Sequence, residues 1–205
     1  MGRPFSEKER EEKRQLILDK AEELFVKYGF VKITIQDITE AANIGKGTFY
    51  SFYKSKGALF VDIYAREWTK LQEHLLKKYK NMNGNLEDLV VLYIKENRKN
   101  LMENPVLSII YNRDTLEHIS DKYGRQGLID FSELNKSVLI ELLRSWTKDK
   151  EIELNIREEI LSGMMRSLSY LIYHKDEIGD DIFEEVIQTF IDAISLEIKA
   201  NIVVK

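Results

Sequence analysis

The sequence predicts an all-α fold, and three observations carry that expectation. The 205 residues include only two prolines, Pro4 and Pro105, so long stretches are free of helix breakers. Apolar residues recur at three- and four-residue spacing along the chain. Glycines (Gly29, Gly45, Gly84, Gly124, Gly127 and Gly179) punctuate these amphipathic segments where C-caps and turns belong. A chain of this length can hold a small domain plus a larger one, or a single helical domain with a sizeable core.

The first helix is expected from Ser6 or Glu7 to Tyr28, with Ile17, Ala21, Leu24, Phe25 and Tyr28 on one packing stripe. Thr34 is a good N-cap for a second, short helix whose Ile35, Ile38 and Ala42 form a stripe. Asn43-Ile44-Gly45 breaks it, because Asn and Gly tolerate the left-handed backbone of a sharp corner and Ile44 can plug the angle between helices. A third helix follows at once, with Gly47 and Thr48 near its start and Phe49 and Tyr50 behind them. Ser55 caps a long fourth helix that carries Leu59, Phe60, Ile63, Tyr64, Trp68, Leu71 and Leu75 through to Tyr79, and Asn81 to Asn85 end it.

Helix five is then expected from Leu86 to about Met102, and helix six opens at Pro105, whose missing N–H costs nothing in a first turn. A glycine-containing break covers Asp121 to Gly127, and helix seven ends near Trp146. Helix eight spans about Ile156 to His174 and helix nine Asp181 to Ile202, giving about nine helices in all.

The second and third helices, from Thr34 to Lys56, read as a helix-turn-helix. Lys46, Gly47, Thr48 and Tyr50 put a cation, two small groups and a phenol at the start of a helix, on a face slim enough for the DNA major groove. Lys54 and Lys56 follow within a turn, placed to hold phosphates. Ahead of the first helix, Arg3 lies between Gly2 and Pro4, a segment that is not helical and that suits an arm reaching the minor groove.

With these residues in view, the chain resembles the N-terminal domain of the TetR family of transcriptional regulators. The resemblance runs through Ala21, Leu24-Phe25, Tyr28-Gly29-Phe30, Thr34 to Ile38, Ala41-Ala42, Gly47, Tyr50 and Lys56 with Leu59. It implies an N-terminal three-helix DNA-binding domain, residues 1–56, and a larger helical effector-binding and dimerisation domain, residues 57–205. It also implies phosphate contacts from Thr34, Tyr50, Lys54 and Lys56, and base contacts from Lys46, Thr48 and Ser51, with Gly47 allowing close approach. Gly45, Asn43, Gly57 and Phe52 depart from the family's habit. Phe52 replaces a side chain that reaches a phosphate, which leaves open whether the phenol of Tyr53 stands in.

For the body, the resemblance implies a ligand pocket among helices four to eight, with candidate linings Trp68, Leu71, Tyr93, Leu107, Ile110, Tyr111, Phe131, Leu134, Met164, Met165 and Tyr170. Arg166 is the one cation in the apolar part of helix eight, able to anchor an anionic ligand or to pair with a carboxylate across a dimer. A two-fold interface is implied from helices eight and nine: Ser162, Gly163 and Ser167 form a small-residue patch, and Phe183, Val186, Ile187, Phe190, Ile194 and Ile198 form a wide stripe. Gly163 inside an apolar helix costs about 1 kcal/mol relative to Ala, so a close approach is expected there.

Charge agrees with this division. Residues 1–56 hold 11 Lys and Arg against 9 Asp and Glu, whereas the remainder holds 20 against 26. The absence of cysteine excludes disulfides and thiolate metal sites, and no apolar run is long enough to span a bilayer. Leu71, Thr115 and Leu171 stand three residues before His74, His118 and His174, so no helical di-metal motif exists and neither a metal nor a cofactor is predicted. The expected protein is a cytoplasmic homodimeric repressor that leaves palindromic double-stranded operator DNA when a small hydrophobic effector binds. The alternative is an all-helical enzyme or carrier for an apolar small molecule, for which no catalytic group is on offer.

Overall fold

The computed structural model describes residues 6–112, 115, 117, 138–148 and 152–204. Of these, the residues within Met1–Glu67 and Pro105–Phe131 form one compact unit, and those within Trp68–Asn104 and Ser132–Lys205 form the other. The boundary expected at residues 56 and 57 falls at the first residue of the fourth helix, which contributes to both units. Arg3, Phe131, Leu134 and the break at Asp121 to Gly127 lie outside the described residues, as does the Tyr111 side chain.

In the first unit, α1 (Glu7–Tyr28) starts on a capping box. Glu9 N–H donates to Ser6 Oγ at 3.3 Å and Ser6 N–H donates to Glu9 Oε2 at 2.8 Å, which satisfies orphan donors and holds the Glu9 carboxyl below its usual range. Gly29 ends the helix at φ +83°, a backbone conformation side chains resist, and its N–H closes on Phe25 O at 2.9 Å. The helix-turn-helix is α2 (Ile35–Ala41) and α3 (Lys46–Phe52). The fourth helix, α4 (Lys56–Tyr79), is capped by Ser55, whose Oγ accepts from Ala58 N–H at 3.1 Å.

These helices close over an aromatic triad. The rings of Phe25, Phe30 and Phe60 lie 4.9–5.6 Å apart by centroid, all essentially without solvent exposure. Ile17, Leu18, Ala21, Ile38, Phe49, Leu59 and Ile63 complete the core. Two expected stripe members stay outside it: Leu24 is half-buried and Tyr28 is exposed. Where a sixth helix was expected to open at Pro105, the described residues begin with a five-residue 3₁₀ helix, Leu107–Tyr111. Pro105 sits instead in the preceding turn, where Ile109 N–H bonds Val106 O at 3.1 Å in the tighter three-residue pattern.

The second unit is built on α5 (Leu86–Glu103) and the last helix. Between them in sequence come α6 (Val138–Thr147), strand β1 (Ile152–Leu154), α7 (Glu158–Tyr173), a single turn α8 (Lys175–Ile178), α9 (Phe183–Ala200) and strand β2 (Ile202–Val204). Asn85 caps α5 by accepting from the N–H groups of Glu87 at 2.8 Å and Asp88 at 3.3 Å. α9 packs on α5 and α7, with Phe183, Ile187, Ile191, Ile194 and Ile198 buried along one face. Arg98 grips Glu184 through two hydrogen bonds of 2.7 and 3.0 Å, while Lys199 pairs with Glu87 at 2.9 Å. Opposite ends of the two helices are therefore joined, so they run antiparallel. Trp146 Nε1 donates to Tyr79 O at 2.8 Å and seats α6 on the end of α4.

The helical class holds, with one addition. Ile202, expected as the last residue of helix nine, instead opens the strand Ile202–Val204, which pairs antiparallel with Ile152–Leu154, with Ile152 opposite Val204 and Leu154 opposite Ile202. Asn201 breaks the helix and the β-branched residues that follow favour an extended ribbon. Among the described residues no helix is long and apolar enough to cross a membrane.

The aromatic triad gives a direct test of the first unit's core. Phe60→Ala should lower stability by about 3–5 kcal/mol, measured as the shift of the denaturant midpoint followed by circular dichroism.

Candidate nucleic-acid interface and effector cavity

The turn between α2 and α3 is made by hydrogen bonds close in sequence. Ala42 N–H donates to Ile38 O at 3.0 Å, Asn43 N–H to Glu40 O at 3.1 Å and Ile44 N–H to Thr39 O at 3.0 Å. Asn43 takes φ +50°, the left-handed backbone expected of it. Gly45 does not: its φ of −76° is extended, and it serves as the N-cap of α3, its carbonyl accepting from Thr48 N–H at 2.9 Å. At the other end of α2, Thr34 forms a second capping box with Asp37, giving bonds of 2.7 and 3.2 Å and lowering the carboxyl's pKa through the Thr34 hydroxyl and backbone N–H.

α3 presents one buried and one open face. Phe49 is inside, whereas Lys46, Gly47, Tyr50, Ser51 and Lys54 are exposed and Thr48 is half-buried. Tyr50 stands 55% exposed, and a Cβ added at Gly47 would meet nothing within 4 Å, so a partner backbone can come close. Thr34 is exposed on the same helix-turn-helix. Lys46 Nζ donates to Gln36 Oε1 at 3.3 Å, which steadies the cation at the start of the helix.

Tyr53 does not join this face. It is buried, and its hydroxyl donates to Asp62 at 2.8 Å; burial foremost, then this bond, raises its pKa. Arg14 donates to the same carboxylate at 2.6 Å, so α1, the end of α3 and α4 meet at Asp62. Arg10 adds a second brace, with its guanidinium 5.0 Å from the Phe52 ring centroid and 3.2 Å from Ser51 O. No local pattern signals these braces, since their partners lie 9 to 48 residues apart.

Lys56 corrects an expectation outright. Placed among the phosphate ligands by its spacing, it is 7% exposed, and its ammonium donates to Phe30 O and Ile33 O at 2.7 Å each. It also lies 4.3 Å from the centroid of the Phe30 ring. The carbonyls of the α1–α2 connection need a donor, and this cation supplies it.

In the second unit, Trp68, Tyr93, Met165 and Arg166 converge with Gln72, Asn97 and Ser169 on a cavity of about 30 Å³. Gln72 Nε2 donates to Asn97 Oδ1 at 3.4 Å, and Gln72 Oε1 has no partner among the described residues. Both amides occupy positions on apolar stripes, following Trp68 and Leu71 on α4 and Tyr93 and Ile94 on α5, which was the available sequence signal. Leu71 is buried in the same unit, Met164 is half-buried and Tyr170 is exposed. Leu107 and Ile110 are buried in the first unit.

The stripe assigned to a dimer interface also changes. Phe183, Ile187, Ile194 and Ile198 are buried against the chain's own helices, because α9 is apolar on more than one face and only packing decides which face turns inward. Val186, Ser162 and Gly163 are half-buried, while Ser167 and Phe190 are exposed. No close intramolecular approach explains Gly163, where an added Cβ would meet only the Arg166 guanidinium, at 3.9 Å.

Known proteins share this architecture. Residues 17–63 match the profile of bacterial regulatory proteins, tetR family, from the middle of α1 into the first third of α4. The HTH-type transcriptional regulator YhgD of Bacillus subtilis is 38% identical over 53 residues, 26% of this chain and 28% of that protein. The HTH-type transcriptional repressor DhaR of a Mycobacterium species is 25% identical over 135 residues, 66% of this chain and 62% of its own length. The chain thus spans less than two thirds of these relatives' length. The transcriptional regulator FadR from Bacillus subtilis, solved with stearoyl-CoA, shares the fold at a TM-score of 0.53 and 14% identity, over 90% of this chain and 98% of that one. A tetR-type DNA-binding head on a helical body defines the class. Over residues 17–63 the chain is thus similar to the tetR family of bacterial regulatory proteins, and the rest shares the fold of solved regulators of that type.

The inward position of Lys56 separates it from Lys54. Lys56→Met keeps the bulk but strands two carbonyls, and should cost roughly 1–3 kcal/mol of stability; Lys54→Ala should leave the melting temperature nearly unchanged and reduce the salt dependence of DNA binding. Paired melting curves and salt titrations of the two variants check this division.

Proposed function

We propose that the protein is a homodimeric repressor that binds palindromic operator DNA through α3 and leaves it when a small effector occupies the cavity beside Trp68. The observation that carries the reading is the open face of α3, where Lys46, Thr48, Tyr50, Ser51 and Lys54 stand in reach of a partner around Gly47. Lys46, Thr48 and Ser51 read base edges; Thr34, Tyr50 and Lys54 take phosphates. DhaR, similar over 135 residues, is named a repressor, and FadR of the same fold holds an acyl thioester in its structure. An all-helical enzyme or carrier is the weaker reading, since among the described residues the cavity lining holds no Asp, Glu, His or Cys and its Ser169 hydroxyl is bonded to Met165 O.

A palindrome needs two heads in fixed spacing, and the chain offers a surface for a second copy. Phe190 and Leu196 on α9 are 40% and 60% exposed, and Ile160 and Tyr170 on α7 are exposed as well. With half-buried Val186 and Gly163, these leave apolar surface exposed on α7 and α9. Response to an effector then requires that it bind the two head spacings with different affinity.

Lys46→Ala and Tyr50→Ala should each weaken binding to DNA from around the coding region. Lys46→Ala should also relax base preference at one position by roughly 1–3 kcal/mol. Affinity of the unaltered protein should fall on the order of 10³-fold between 50 and 200 mM salt if about six phosphates are neutralised. Gel shifts across a salt series check all three, and a flat salt response with unaffected variants would sink the docking.

Leu196→Asp should convert the dimer to monomer without loss of helicity and abolish tight operator binding, because a lone head loses its tethered twin. Sedimentation of this variant as an intact dimer would move the interface elsewhere.

A further inference from the structure

The cavity in the second unit carries more information than its location. Among the described residues its lining has one charge, the Arg166 guanidinium, and no carboxylate. Among the described residues Arg166 makes no ion pair or hydrogen bond, although it is half-buried. None of its nitrogens is among the sealed, unsatisfied atoms, so the planar fork stays open to an incoming anion.

Gln72 shows the same imbalance in a neutral group. It is 8% exposed, like Asn97, and its carboxamide reaches only the weak 3.4 Å bond between them. Gln72 Oε1 is buried with no partner among the described residues. A buried amide atom left unsatisfied is costly, and native structures rarely tolerate one without a ligand or water to meet it. Ser169 is already committed, its hydroxyl donating to Met165 O at 3.3 Å.

We infer that the cavity is the recognition site for the head of a small hydroxy-carboxylic acid: Arg166 binds the carboxylate, and Gln72 takes the neighbouring hydroxyl. A hydroxyl both donates and accepts, so it suits the Gln72 carboxamide in either orientation. Some 30 Å³ is room for such a polar head, not for a whole drug-sized molecule. The apolar remainder of the ligand is left to the Trp68 and Tyr93 rings and Met165. Lack of any acidic side chain in the lining disfavours a cationic ligand. The inference rests on the reading of the protein as effector-responsive and names the chemical class of that effector.

The test uses three related probes on the full chain: 2-hydroxybenzoate, benzoate and neutral benzamide, titrated by calorimetry at fixed salt. Affinity should fall in that order. Arg166→Gln should weaken 2-hydroxybenzoate roughly ten- to hundredfold, and Arg166→Lys, which keeps the charge but loses the planar fork, should fall between. Gln72→Leu should bring the ratio of 2-hydroxybenzoate to benzoate affinity toward one. Circular dichroism and sedimentation of each variant show whether fold and dimer survive. Equal binding of benzamide, wild-type binding by Arg166→Gln, binding of none of the probes, or loss of the dimer by Arg166→Gln with probe binding intact would each overturn the assignment. A gel shift on the same preparations keeps the two readings apart. Release of DNA by a neutral molecule but not by the acids defeats the acid class alone, and failure to bind DNA at any salt defeats the regulator.

Discussion

The ammonium of Lys56 is the interaction on which the DNA-binding head depends. The connection between Gly29 and Thr34 has no regular structure, so its carbonyls have no ladder to join. Two of them, from Phe30 and Ile33, lie inside and are met at 2.7 Å by a single cation from the first turn of α4. Burying a charge is costly, but here the acceptors and the face of the Phe30 ring replace its water. The result joins the entry to α2 with the start of α4. Asp62, one and a half turns further along α4, repeats the device with opposite sign by holding Arg14 and Tyr53. The helix-turn-helix is thus held by α4 at its entry, before α2, and at its exit, after α3, and the open face of α3 takes no part in either brace.

The second unit is organised differently. Its frame is the antiparallel pair α5 and α9, apolar between the helices and clasped at both ends by ion pairs. Surface pairs of this sort contribute little stability on their own. Their use is in register, because each reaches a specific partner far away in sequence, 86 residues for Arg98–Glu184 and 112 for Lys199–Glu87. Against this well-satisfied frame the polar groups beside Trp68 stand out, since nothing else in the unit leaves an amide and a guanidinium together without sufficient partners among the described residues.

How much of this was legible follows from the range of each interaction. The helix-turn-helix was, because its caps, its turn and its stripe are all set by residues within four positions of one another, and Thr34 and Asn43 perform the roles their chemistry suggests. Gly45 shows the limit: a glycine at a corner reads as left-handed, yet here it is only a small N-cap. Lys56 looked like a surface cation, since its carbonyl partners are 23 and 26 residues earlier. The phase of α9 was beyond reach for another reason. Isoleucine and phenylalanine lie on more than one of its faces, and periodicity marks apolar faces without saying which one the chain keeps for itself.

The small ribbon formed by Ile152–Leu154 and Ile202–Val204 bears on the order in which the protein assembles. Its strands are separated by all of α7, α8 and α9, so pairing them from an open chain would forfeit roughly 3 kcal/mol of loop-closure entropy. Three facing residue pairs are too few to offset that and the ordering of both strands. The ribbon can form only once α9 has docked on α5 and carried Asn201 back to Asn155, where the first bond, 2.9 Å from Asn155 N–H to Asn201 O, already sits in place. Its amide protons are therefore a clock hand for the unit, acquiring protection last during refolding and surrendering it first when α9 begins to loosen.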